Sequence, residues 1–228
     1  VAASQQNSPE VSNKDAVTGV TLFANEAGVP VATDNPDNAK NKWSHTGKFN
    51  VAATVAEGGS LNVGIKVENT TANYVVWDNA TLYYFGTMSE AEALNEMAKI
   101  DMAATVAIAD TCLAHKMNVD SLALLNEGIA AAKAITTADQ LWQLNEDLYW
   151  AIRKANSSAA DYRNFNSAIA DAEVVLTGEY SPAIAGEIAA LQTAIDAAKA
   201  IYTTATAARV ELNEQRAVLS EAAALVAL

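Results

Sequence analysis

Cysteine is nearly absent. Cys112 is the only one in 228 residues, so no disulfide can form within the chain and a cysteine zinc site is excluded. Histidine is almost as scarce: His45 and His115 are the only two, and they lie in different halves. No HExxH, Ser–His–Asp signature, phosphate-binding loop or glycine-rich dinucleotide fingerprint occurs. Positive charge is also short. Fourteen Lys and Arg face 27 Asp and Glu, for a net charge of −13. Before Met88 there are eight acids against five bases, and after it nineteen against nine. Both parts are therefore acidic, which disfavours nucleic-acid backbones and anionic membrane surfaces, because both call for basic stripes. No apolar run approaches the roughly 20 residues of a membrane-crossing helix, so no membrane insertion is expected. No signal peptide is visible. The chain begins with Val1 rather than Met, and is expected to be a processed form or the C-terminal piece of something longer.

What is present falls into two halves of different period. Residues 1–17 are polar and turn-rich. From Thr18 the pattern is β: VTLFA (20–24) and VPVAT (29–33) read as short strands, separated by a turn at 25–28. DNPDNAKNKWSHTG (34–47) reads as a long loop. KFNVAATVA (48–56) and SLNVGIKVE (60–68) alternate around a Gly58-Gly59 turn, the latter with Leu61, Val63, Ile65 and Val67 on one face. VVWDNATLYYFG (75–86) carries the densest β signal of the chain.

From Met88 onward alanine dominates and the period becomes helical. SEAE (89–92) is a capping box, and its helix is expected to run to about Lys116. Asp120 is expected to cap a second helix with Leu122, Leu125, Ile129 and Ala132 on one stripe. TADQ (137–140) opens a third, with Leu141, Leu144, Leu148 and Ile152 inward. A break is expected at Asn156-Ser157-Ser158. Tyr162, Phe165, Ile169, Ala172 and Leu176 form the next stripe, and Ser181-Pro182 starts another helix with Ile184, Ile188, Leu191, Ile195 and Ala198. A final helix spaces Leu212, Leu219 and Val226 by heptads. Six helices with short connections indicate antiparallel bundles. IAAAKAITT (129–137) recurs as IDAAKAIYTT (195–204), and LNE recurs at 144–146 and 212–214. The expected organisation is thus a mixed β plus α chain: an antiparallel β-sandwich over 1–87, incomplete at this length, then two alanine-rich three-helix bundles over 88–157 and 158–228.

VTLFANEAG (20–28), GSLNVGIKVE (59–68) and VVWDNATLYYFG (75–86) together resemble the C-terminal half of a galactose-binding-like β-sandwich, of the kind found in surface and secreted proteins of Bacteroidetes. Trp77 directly beside Asp78 departs from that pattern. YRNFNSAIADAEVVL (162–176) and SPAIAGEIAALQTAIDAAKAIY (181–202) are similar to FIVAR-type three-helix repeats of bacterial extracellular proteins. The resemblance implies export to the cell surface and association with carbohydrate. It also implies that an upstream segment or a partner chain completes the sandwich.

Candidate site residues follow. Trp43, beside His45 in KWSHTG, has the amphipathic ring that stacks on pyranose faces; its structural alternative is a plug at the edge of the core. Tyr74 joins Trp43 and His45 as a candidate ligand contact. Trp77, Tyr83 and Tyr84 read as core or sheet-face aromatics. Asp78, with Asp34 and Asp37, is the candidate oxygen set for a structural calcium ion, which takes about six to eight oxygens; the alternative is a strand bulge with Asp78 accepting backbone N–H bonds. The helical carboxylates read as solvated, and Cys112 as packed. The functional expectation is a non-catalytic, exported, carbohydrate-associated module with helical spacers. Two alternatives stay open: an adhesive assembly subunit completing a partner's sandwich, and an accessory region of a larger glycoside hydrolase.

Overall fold

The computed structural model describes residues 19–30, 49–69 and 80–227. It is mostly helical with one small antiparallel sheet, a mixed α plus β architecture. Contacts divide the chain into two compact units. The first comprises the described residues within Val1–Ala104 and Lys133–Asn145, and the second those within Thr105–Ala132 and Glu146–Leu228.

The sheet belongs to the first unit. Strands β1 (Val20–Ala24), β2 (Ala27–Pro30) and β3 (Val63–Val67) pair antiparallel in the order β2-β1-β3. In β1, Val20, Leu22 and Ala24 are buried and alternate with half-buried Thr21 and Phe23, the period-2 pattern of a strand. Asn25 takes a left-handed φ of 51°, which Asn tolerates, and lets the chain reverse within two residues. Because Ala24 faces Ala27, β2 begins earlier than the expected 29–33. Asn25 also locks the other side: its N–H donates to Asn62 O at 2.8 Å, and Asn62 N–H donates back to Asn25 Oδ1 at 2.8 Å.

The one-face reading of β3 holds over its described strand, and two other expectations for the β half need correcting. Val63, Ile65 and Val67 do share the face of Ala24, Leu22 and Val20. Val63 is 55% and Val67 45% exposed, whereas Ile65 between them is half-buried. Residues 49–56 form no strand; side chains of the first helix hold that stretch at two points instead. Residues 80–85 also lie outside any strand, so a closing strand does not form over the described part of 75–86.

The helices are α1 (Glu90–Cys112), α2 (Val119–Lys133), α3 (Leu141–Leu176), α4 (Ala185–Thr204) and α5 (Arg209–Val226). The SEAE box forms as read. Ser89 N–H donates to Glu92 Oε2 at 2.9 Å and Glu92 N–H to Ser89 Oγ at 3.3 Å. The Ser89 backbone N–H, then its hydroxyl, hold the Glu92 carboxyl below its ordinary pKa. In TADQ, Gln140 Oε1 accepts from the Thr137 N–H at 3.1 Å, across a short 3-10 turn that leads into α3. Ser181 caps a second such turn, accepting from Ala183 N–H at 3.2 Å with Pro182 in the first position.

Elsewhere the boundaries shift. α1 ends at Cys112, not near Lys116. Asn118 rather than Asp120 caps α2, its Oδ1 accepting from Asp120 N–H at 2.7 Å. Leu122 is exposed, so the inward stripe of α2 is Leu125, Ile129 and Ala132. The break at 156–158 does not occur, because α3 continues for 36 residues. Its inward stripe runs Ala155, Ala159, Tyr162, Phe165 and Ile169 at helical spacing, and Asn156-Ser157-Ser158 fall between stripe positions, where they bond to other segments. Five helices therefore stand among the described residues where six were expected.

In the second unit one core joins the latter half of α3 (Tyr162, Phe165, Ile169, Ala172) to α4 (Leu191, Ile195, Ala198) and α5 (Leu212, Leu219, Val226). Each fully buried Leu, Ile or Phe contributes roughly 1.5–3 kcal/mol of hydrophobic stabilisation. The alanines and Gly128 bring helices close: a Cβ on Gly128 would meet Leu148 Cδ1 at 3.2 Å and the Ala151 Cβ at 3.5 Å.

Candidate functional site

A groove of about 1070 Å³ lies in the first unit. One wall is α1, where Glu90, Ala93, Met97 and Asp101 recur at helical spacing and so share a face. Residues 49–55 run along that wall and are tied at both ends. Asn50 Nδ2 donates to Asp101 Oδ2 at 2.8 Å, and the Thr54 N–H donates to Glu90 Oε1 at 2.8 Å. An alternating sequence thus lies outside the sheet, with two carboxylates of α1 bonding it at Asn50 and Thr54. The sheet supplies Leu22, Phe23, Ala24, Val63, Gly64 and Ile65. Gly64 has no side chain because the Phe23 ring occupies the space; a Cβ there would sit 3.0 Å from Phe23 Cζ.

The third wall is residues 80–86, and here the aromatics behave unexpectedly. Tyr84 lines the groove yet is 92% exposed, and Leu82 is 73% exposed. Tyr83 is less exposed and stacks at a tilt against Phe85, with ring centroids 5.9 Å apart. The expectation that Tyr83 and Tyr84 pack into a core or against a sheet is therefore overturned for Tyr84, because residues 80–85 form no strand and the chain turns at Gly86, whose φ is 66°. Large apolar side chains that stay in water beside a concave surface mark binding sites more often than isolated exposure does.

Trp43, His45, Tyr74, Asp34, Asp37 and Asp78, and with them the calcium reading and Trp77, lie outside the described residues. Among the described residues no group of three or more His, Cys, Asp or Glu is placed to hold a metal ion. The groove residues Asn50, Tyr84, Glu90 and Asp101 escaped sequence reasoning. The two carboxylates did carry a signal, since they bracket the apolar pair Ala93 and Met97 on one helical face.

A second polar cluster lies in the second unit. Asn118 Nδ2 donates to Thr206 O at 2.9 Å and to Ala207 O at 3.1 Å, and the Asn118 N–H donates to Ser158 Oγ at 2.8 Å. Tyr162 donates its hydroxyl to Ala207 O at 3.0 Å, and Val119 N–H donates to Ala205 O at 2.8 Å. Burial pushes the Tyr162 hydroxyl above its usual pKa, with the Glu211 charge acting the same way. Both Asn118 amide protons and its carbonyl are used, so the cluster is a fastening rather than a site. Cys112 is buried as expected, its Sγ 3.5 Å from Asn156 Oδ1. No helix among the described residues is long and apolar enough to cross a membrane. Compared with protein-family models, curated proteins and solved structures, the chain matches none of them.

Proposed function

We propose that this chain is a non-catalytic, exported, carbohydrate-associated module of a bacterial surface protein, in which the groove binds a glycan and the helices act as a spacer. The observation that carries the reading is the Tyr84 ring, bare to solvent at the wall of an open groove. A pyranose ring offers axial C–H groups to such a face and hydroxyls to acceptors beside it. Glu90, Asp101 and Asn50 supply polar groups along the same groove. The galactose-binding-like sandwich remains part of this proposal: three antiparallel strands, with Val63 and Val67 of β3 exposed on their apolar face, are compatible with a portion of a sandwich.

A paired-carboxylate hydrolytic mechanism fits this groove poorly. Glu90 and Asp101 are eleven residues apart on one helix, about 16 Å along its axis. Glycosidase carboxylates stand roughly 5–9.5 Å apart. For the helical part, the proposal takes two three-helix bundles that share α3, which at 36 residues is about 54 Å long.

The test is retention on immobilised neutral polysaccharides, followed with purified protein and its Tyr84→Ala variant. Loss of a stacking contact worth about 1.4 kcal/mol weakens binding about tenfold, and the helical circular dichroism should be unchanged. Failure of the parent protein to bind any polysaccharide, or equal retention of the variant, would refute the proposal.

A further inference from the structure

We infer that residues 50–54 form a two-point strap whose anchors on α1, Glu90 and Asp101, fix the width of the groove. The two carboxylates are then positioning residues that act through the strap. Its role in binding rests on the glycan reading above; the strap itself does not.

Spacing is the first support. Glu90 and Asp101 lie eleven residues apart in α1, about 16 Å along its axis. Their partners, the Thr54 N–H and Asn50 Nδ2, belong to residues four apart. Four residues reach about 13 Å when extended, at roughly 3.3 Å each, and about 6 Å when helical. With side chains closing the remainder, an extended segment reaches both anchors and a helical one does not. Residues 50–55 accordingly form neither helix nor strand. They run antiparallel to α1, since Asn50 meets the later carboxylate and Thr54 the earlier one. The strap is therefore drawn out between its anchors with little slack.

Bonding and position agree with this. Among the described residues no backbone–backbone hydrogen bond reaches 50–55. Each anchor is instead a bond to a carboxylate at 2.8 Å, a charge-assisted kind about twice as strong as a neutral one. Val51, Ala52 and Ala53 lie between the anchors on the strap, and Ala93 and Met97 between them on α1; all five line the groove. Because α1 is one continuous helix of 23 residues, the distance between the anchors is constant. A segment fixed at one end pivots, whereas one fixed at both ends keeps its place. The groove thus presents a wall ordered in advance, which lowers the cost of ordering it when a ligand binds.

The experiment is amide hydrogen exchange at Thr54 in the whole chain, read beside retention on immobilised dextran, cellulose and galactan. Asp101→Ala should speed Thr54 exchange about tenfold by releasing the far end of the strap, although the bond at Thr54 is to Glu90. Two independent local bonds would leave Thr54 unchanged. Asp101→Asn and Glu90→Gln keep an acceptor oxygen and should match the parent. Asn50→Ala releases the same end from the strap side and leaves α1 intact, so it decides if Asp101→Ala does not fold. On the polysaccharide that retains the parent, Asn50→Ala should bind about fivefold more weakly. Unchanged Thr54 exchange in folded Asn50→Ala overturns the strap. Faster exchange with undiminished retention overturns its role in binding. So does weaker retention of Asp101→Ala with unchanged Thr54 exchange, which would make Asp101 a direct ligand contact. A parent that binds no polysaccharide refutes the glycan reading alone, and Thr54 exchange still decides the strap.

Discussion

Replacing Asn118 by alanine should be among the most damaging single changes in the second unit. The side chain makes three hydrogen bonds: two donated to the carbonyls of Thr206 and Ala207, and one accepted from the Asp120 N–H that begins α2. A net contribution of about 1 kcal/mol per bond gives a loss of about 3 kcal/mol. Alanine also leaves part of a buried site empty, while Ala207 O keeps the Tyr162 hydroxyl as a donor. In a unit of this size, with about 4 °C lost per kcal/mol, Tm should fall by about 12 °C.

The assay is thermal and urea unfolding followed by helical circular dichroism, with Asn118→Asp as the discriminating control. Aspartate keeps the capping acceptor but replaces both amide donors with a charge facing two carbonyl oxygens. If the cap were the whole contribution, Asn118→Asp would match the parent. If the bonds to 206 and 207 matter, it should be at least as unstable as alanine at neutral pH. It should recover as pH falls, because a buried carboxyl beside carbonyls titrates high and its neutral form can donate. A loss below about 1 kcal/mol for alanine, or parent-like stability for aspartate, would refute the reasoning.

Tyr162→Phe should cost about 1 kcal/mol near neutrality, the net value of one hydrogen bond. Because its folded pKa is raised, the contribution of the neutral phenol is fully present below pH 10 and lost as pH rises through the folded value. The parent should therefore lose stability above pH 10 more steeply than Tyr162→Phe, and equal alkaline slopes in urea melts would count against this. Gly64→Val should destabilise the sheet by about 1–3 kcal/mol, since its Cβ meets the Phe23 ring at 3.0 Å. Truncating the ring in the double variant with Phe23→Ala should recover part of the loss caused at 64, and strict additivity of the two changes would contradict a steric cause.

Local chemistry was legible in the sequence wherever both partners lie within a few residues. Ser89 with Glu92, and Ser181 with Pro182, announce helix starts because a cap reaches only one turn. Buried stripes such as Leu212, Leu219 and Val226 are equally local, being set by periodicity. The failures share one cause, a partner distant in sequence. Asn156-Ser157-Ser158 resembles a break, yet Cys112 and Arg209 bond two of these side chains, and Ser158 Oγ accepts from the Asn118 backbone. Residues 49–55 alternate like a strand, but Asp101 and Glu90 hold them against a helix. Tyr84 has the propensity of a strand residue, and propensity does not say whether the segment will find a ladder. The groove is therefore the part of the fold least visible in the sequence, since each of its walls comes from a separate segment.

The repeat in the second unit can now be weighed by burial rather than by letters. Leu125, Ile129 and Ala132 of α2 correspond at a constant offset to Leu191, Ile195 and Ala198 of α4, and all six are buried. The LNE match carries no such equivalence: Leu144 is half-buried and Leu212 fully buried. What recurs with matching burial is thus a helix with its inward stripe. The helix that follows α2 is α3, whose first half approaches Gly128 through Leu148 and Ala151. The same helix, through Tyr162, Phe165 and Ile169, is a member of the core with α4 and α5. One uninterrupted backbone therefore serves both packing surfaces. A helix cannot bend sharply at that junction without breaking several of its own hydrogen bonds, so the two surfaces keep a fixed spacing and rotation along it. The Asn118 fastening acts at the same place, linking the start of α2 to the connection between α4 and α5. That combination would stiffen the proposed spacer: a shared helix opposes a hinge, and a buried amide ties the segments on either side.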